Sequence, residues 1–372
     1  MNHWIALPVL LPVIVGSVLV LVARRDLLLA RALSVASCFA LLALSCFLLA
    51  TASAEGPQTY ALGDWPAPYG IVLVLDRLAA LMLVLANLLA LSVLLYALGG
   101  ADREGRHFHA LWQFQLMGLN GAFLTGDFFN LFVFFEVLLI ASYGLMVHGG
   151  GRARLKAGVQ YVAVNLVGST LFLLAVGLIY GVTGTLNMAD LASRVPEVAA
   201  DDRALLHTGA LMLLLVFAVK AALVPVHFWL PGTYANAPAP VAALFAIMTK
   251  VGAYAIIRLY TLAFGDDAGA SSWLAAPWLM PAAMLTLLLG MTGVVGARSL
   301  GQLAGFSVIA SMGTLLMAVG LFTEEALSAA LYYLVHSTLA AAALFLIAEQ
   351  VAVRRGSVGD RLEPAPPVAQ AS

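Results

Sequence analysis

Apolar runs of about 20 residues follow one another along almost the whole chain, most of them long enough to cross roughly 30 Å of hydrocarbon as an α-helix. They fall at 4–23, 28–50, 76–98, 111–124, 128–147, 157–180, 207–224, 240–264, 273–295, 302–322 and 326–353. About eleven such runs predict an all-α polytopic membrane protein, because in lipid every backbone polar group must be satisfied within its own segment. Composition agrees. Hydrophobic residues make up 63% of the chain, charged residues 10%, and the mean hydropathy is +1.00, all outside the range of soluble domains.

Several function classes drop out. A net charge of -1 gives no basis for binding nucleic acid. Cys38 and Cys46 share one apolar run, without metal-ligand spacing or a disulfide framework, and read as core residues. No phosphate-cradling loop, nucleophile elbow, haem or metal pattern is present, so the sequence predicts no cofactor and no metal.

Charge sets the expected orientation. Run 4–23 has no positive region ahead of it and is followed by Arg24 and Arg25, so it reads as a first span and not a cleaved signal peptide. With the N-terminus outside, the inner loops carry Arg24, Arg25, Arg103, Arg106, Arg152, Arg154, Lys156, Arg298, Arg354 and Arg355, and the outer loops only Arg194 and Arg203. This predicts a periplasmic N-terminus in the inner (plasma) membrane of a bacterium. The stretch 51–67 reads as a turn-rich outer loop and 68–75 as extended chain. Asp76 and Arg77 read as a capped helix entrance, not a buried ion pair, and the tail after Arg355 as a polar, proline-rich loop.

The stretch 211–258 concentrates the chemistry. It places Lys220 and Lys250 inside two apolar runs, separated by Pro225, Pro231, Pro238 and Pro240. A membrane-buried ammonium is costly and usually serves ion movement. Pro225 removes a helix bond, so the seventh run is predicted to be interrupted beside Lys220. At about 1.5 Å per residue, Glu136, Lys220, Lys250 and His336 all fall roughly 12 to 20 Å deep, near the bilayer midplane, and would form a lateral proton relay. Each also has a structural reading. Glu136 would serve simply to neutralise Lys220 as its ion-pair partner, Lys220 would snorkel if it lay near a helix end, Lys250 would tether the loop, and His336 would be a packing group. His227, past the break, is either a proton donor and acceptor near the cytoplasmic face or an interfacial anchor beside Trp229. Gly177 and Gly181 form a GxxxG suited to close helix contact, with Gly168, Ser169 and Thr170 extending a small face. Asn130, Ser142, Tyr143, Gln160, Tyr161 and Asn165 are candidates to hold waters near Glu136 or to bond between helices.

The run PVHFWLPGTYANAPAPVAALFAIMTKVGAYAIIR from Pro225, GDFFNLFVFFE around Glu136 and DWPAPYGIVLVLDRLAALML around Asp76 together resemble the D-type subunit of Mrp-type multisubunit monovalent cation/proton antiporters. These are related to the antiporter-like membrane subunits of complex I and group 4 hydrogenases. The resemblance implies two inverted five-helix repeats, helices four to eight and nine to thirteen, each with one interrupted helix. It implies an essential Glu136 and Lys220 pair, with Lys250 and then His336 continuing a hydrophilic axis. On that reading 1–110 holds three N-terminal helices, 111–264 the first repeat, 265–353 an incomplete second repeat and 354–372 a polar tail, so the chain reads as C-terminally truncated. Gly232 to Asn236 follow the Mrp style, and Ser311 and Ala341 stand where complex I relatives often carry histidine and lysine. The implied function is an ion-translocating subunit, not an enzyme, working with other subunits of a hetero-oligomeric antiporter in the lipid bilayer on protons and sodium or another monovalent cation. Two alternatives stay open at this point, a proton-pumping membrane subunit of a redox complex and a non-transporting scaffold.

Overall fold

A computed structural model of the chain describes residues 3–22 and 26–355, so Arg24, Arg25 and the tail from Gly356 lie outside the described residues. Each of the eleven apolar runs contains one helix. In order these are α1 (Leu7–Leu21), α2 (Leu27–Glu55), α3 (Arg77–Ala97), α4 (Phe108–Leu124), α5 (Phe128–Met146), α6 (Arg152–Thr183), then, after the short helix α7 (Met188–Arg194), α8 (Ala200–Ala221). The short α9 (Trp229–Asn236) follows the break, and α10 (Ala239–Leu262), α11 (Ala276–Val295), α12 (Leu300–Val319) and α13 (Glu324–Arg355) complete the order. Among the described residues, nine helices are long and apolar enough to cross a membrane, while α1 and α4, with 15 and 17 residues, are shorter.

Helix starts follow the short polar side chains. Asp26, Asp76, Asp127 and Ser299 each accept a bond from a first-turn backbone N–H of α2, α3, α5 and α12, at 2.8 to 3.2 Å. Proline in the first turn opens α10 and α11, where its missing N–H costs nothing. The extended chain expected ahead of Asp76 forms β2 (Val72–Leu75), and it pairs antiparallel with β1 (Gln58–Ala61), a partner the turn-rich reading of 51–67 did not include.

The bundle is organised around α10. Its most apolar 18-residue window is buried completely, against 22% for the corresponding window of α11. Without a hydrophobic drive inside lipid, close backbone approach does the joining. A Cβ added at Gly252 of α10 would stand 2.7 Å from the Ala221 amide nitrogen and 2.8 Å from the Phe217 carbonyl, so only glycine allows α8 this near. The glycine pair read as a contact motif behaves differently. Gly177 and Gly181 have nothing within 4 Å of an added Cβ and face away from the rest of the chain.

Candidate functional site

Lys220 occupies the last turn of α8, which stops at Ala221. Two local facts end it there: Ala222 takes a left-handed conformation (φ 54°), and Pro225 has no N–H to continue. The freed groups are satisfied from elsewhere. Leu223 N–H bonds the Ala218 carbonyl at 2.9 Å, Val224 N–H donates to Thr286 Oγ1 of α11 at 2.9 Å, and Trp229 Nε1 donates to the Val219 carbonyl at 3.1 Å. The predicted interruption is thus present, and it leaves Lys220 at the negative end of a helix dipole, where a cation is favoured.

The lysine is 8% exposed, and its Nζ donates to Asn165 Oδ1 of α6 at 2.9 Å. Its ammonium also lies over Phe135 of α5, 5.9 Å from the ring centroid. Glu136, the next residue on α5, is half-buried and accepts a hydrogen bond from Ser169 Oγ, again on α6. Lys220 thus lies over the residue that precedes Glu136, yet no ion pair joins the two. The expected direct pair is therefore a pair held apart, each member on its own neutral partner. A void of about 20 Å³, lined by Lys220, Asn165, Tyr161, Trp229 and Met248 among others, has room for one water.

Lys250, in the middle of α10, is fully enclosed, and its Nζ bonds Met312 Sδ of α12 at 3.2 Å. A thioether is a weak acceptor. His227 is half-buried in the turn between α8 and α9, with Nδ1 lacking a hydrogen-bond partner. His336 differs from its buried expectation. It sits on the exposed side of α13, and no hydrogen bond or ion pair joins it to Lys250. The physical reason is rotational: Leu334, Ser337 and Thr338 take the inward face of that turn.

Of the six polar residues considered as water holders, Tyr161, Ser142 and Asn165 form one chain. Asn165 Nδ2 donates to the Tyr161 carbonyl at 2.9 Å, and the Tyr161 and Ser142 hydroxyls are 2.9 Å apart. Tyr143 OH is buried without a partner, Asn130 bonds Thr125 near the start of α5, and Gln160 is exposed. Two charge clusters have no counterpart in the sequence reading. Arg258 of α10 forks onto Asp76, which also caps α3 as expected, so the partner of Asp76 is not its neighbour Arg77. Arg31 of α2 grips Asp102 through two bonds of 2.6 and 2.7 Å, with His109 at 3.2 Å on the same carboxylate. At the end of the bundle carrying Glu104, Arg154, Arg298 and Glu349, these residues line an open cavity of about 410 Å³ together with Tyr234 and Phe345.

A multi-pass helical bundle with one spanning helix broken beside a buried lysine, and a second buried lysine on the central helix, defines an antiporter-like membrane subunit. The chain belongs to the family described as NADH:quinone oxidoreductase/Mrp antiporter, whose match covers residues 125–362. It is 50% identical over 367 residues to the D subunit of a probable K(+)/H(+) antiporter of Rhizobium meliloti (strain 1021), covering 97% of this chain and 68% of that one. With the D subunit of the Na(+)/H(+) antiporter of Alkalihalophilus pseudofirmus identity is 42%, over 94% of this chain and 70% of the relative. A chain in the structure of the Mrp complex from Dietzia sp. DQ12-45-1b superposes with a TM-score of 0.87 at 34% identity, over 96% of this chain and 66% of that chain. The chain thus spans about two thirds of the length of these relatives.

Proposed function

We propose that this chain is an ion-translocating subunit of a multisubunit monovalent cation/proton antiporter in a bacterial plasma membrane, with its N-terminus periplasmic. Protons move along Glu136, Lys220 and Lys250, and His227 exchanges them beyond the break. His336 joins this axis only through an element covering the outer side of α13. The residues 111–264 act as one repeat and 265–353 as part of a second. The observation that carries the reading is the broken end of α8, which holds Lys220 buried over Phe135, next to Glu136, and bonded to Asn165 and not to the carboxylate. A lysine so placed can change partner and proton without unfolding its helix.

The test replaces Lys220 by alanine in the assembled complex. Dye-quench assays on membrane vesicles should show cation-dependent proton movement reduced to background, with subunit assembly on native gels unchanged. Exchange at the normal rate in an intact Lys220→Ala complex would instead support a scaffold role and overturn the relay.

A further inference from the structure

The spacing of Asn165 and Ser169 suggests a more specific device. They lie four residues apart on α6, one above the other on a single helix face, separated by about 6 Å of rise. Asn165 holds Lys220, and Ser169 holds Glu136. We propose that α6 acts as a ruler for the relay, with Asn165 as the positioning residue that keeps Lys220 one turn away from Glu136 until the lysine is to be loaded or emptied. This rests on the transport reading above.

The amide suits the task better than a carboxylate or a hydroxyl would. Asn165 Nδ2 is committed to the Tyr161 carbonyl, which fixes Oδ1 toward Lys220. A neutral carbonyl oxygen accepts from an ammonium and also from an uncharged amine, so Asn165 retains the lysine in both protonation states and favours the charged one far less than a carboxylate does. Glu136 would dictate it. A carboxylate in contact with an amine favours the charged form, and a permanent Glu136 and Lys220 pair would trap the proton that the relay must pass on. A one-water void borders both Lys220 and Asn165, so a water can take the place of the amide on the amine when the flexible stem leaves its post.

Other groups do not account for the arrangement. Of the titratable groups on the packed elements, Tyr161 of α6 lines the same void as Lys220, and Glu136 of α5 adjoins Phe135, whose ring the ammonium covers. Tyr161 is bonded to Ser142 and Lys250 of α10 to Met312, so neither of these groups is joined to Lys220.

The experiment measures the pH profile of cation-dependent proton exchange in vesicles containing the assembled complex. Asn165→Ala removes the holding post, so Lys220 falls onto Glu136. Maximal exchange should drop, and the pH of half-maximal exchange should rise by roughly one unit, the size of effect that an adjacent opposite charge produces. Asn165→Asp is nearly isosteric and should fold where alanine does not. It supplies a carboxylate in place of the amide and should raise the profile at least as far. Reduced exchange with an unmoved profile in both variants would mark Asn165 as a packing residue and overturn the proposal, as would a profile displaced to lower pH. Lys220→Ala in the same preparation separates the two levels. If that variant is silent while the Asn165 profiles stay unmoved, the ruler is wrong and the transport reading stands; if it still exchanges, the transport reading itself fails.

Discussion

Charges at the ends of the helices and charges in the middle of the bundle are held in opposite ways. Near the ends, Arg31 clasps Asp102 through two nitrogens and also the Leu98 carbonyl, while Arg258 clasps Asp76 and the Tyr254 hydroxyl. Both cations are guanidinium groups in direct, forked contact with carboxylate. In the middle, Lys220, Lys250 and Glu136 are bonded to an amide, a thioether and a hydroxyl, and no ion pair joins them. A guanidinium is always charged and fixes two bonds at once, whereas an ammonium on a flexible stem can trade both partner and proton. The fold uses arginine where α2 must stay attached to the loop after α3 and where α3 must stay attached to α10. Lysine stands where, on the proposed relay, the contact has to be temporary.

The strongest way to break this comparison is Lys220→Arg. Charge and much of the volume are retained, so assembly should survive, but the group can no longer give up its proton and would fork onto Glu136. Exchange in dye-quench assays should fall to background, as is expected for alanine. A complex with Lys220→Arg that exchanged at the normal rate would show that mobile charge at this position is not needed.

The converse change is Asp102→Asn. It leaves the Arg31 guanidinium without its counter-charge in a part-buried site, a loss on the order of 3 kcal/mol when one partner of a buried pair is removed. Thermal unfolding of the purified complex should occur at lower temperature, while the pH profile of the remaining exchange keeps its midpoint. The pH dependence of that stability has a definite sign. Burial alone pushes the Asp102 carboxyl up, but hydrogen bonds from Arg31 and His109 outweigh it and hold the group below the usual carboxylate range. A depressed carboxylate contributes its full stabilisation above its unfolded value and loses it as pH falls through the folded one. The gap in Tm between native and Asp102→Asn complexes should therefore stay constant from neutral to mildly acid pH and close only in strong acid. A gap that closed near neutrality would assign the effect to His109 instead.

How much of this was legible beforehand follows from the range of each signal. Apolar runs and prolines are local, so the helices, the break after Lys220 and the positions of Lys220 and Lys250 could be read directly. Pairings between distant segments could not. Asp76 and Arg258 are separated by 182 residues, and nothing in either run points to the other. Helix rotation was the other blind spot. The run containing His336 is apolar or small on most sides, so depth could be estimated but facing could not, and the histidine lies on the exposed side. The signal that was available and underused is the polar pair Asn165 and Ser169, four apart on an apolar helix and pointing to one shared face.

The smallest effect should come from Phe135→Leu. The ring lies 5.9 Å from the Lys220 ammonium and packs edge-on against Phe172 and Phe217 at 5.7 and 6.3 Å. Its π-face favours the charged form of the lysine, by about 1 kcal/mol in a partly desolvated setting. Leucine keeps an apolar side chain between α5 and α8 but offers no such face. The proton on Lys220 should then be released slightly more easily, and the pH of half-maximal exchange should fall by roughly 0.7 unit, since about 1.36 kcal/mol corresponds to one unit. This displacement is opposite in sign to the one expected for Asn165→Ala, and it sharpens the contrast between middle and ends: a change beside Lys220 moves the profile, and a change beside Arg31 moves only Tm. A rise in the midpoint for Phe135→Leu, or a loss of Tm as large as that of Asp102→Asn, would place Phe135 among the structural contacts and leave the lysine without its aromatic partner.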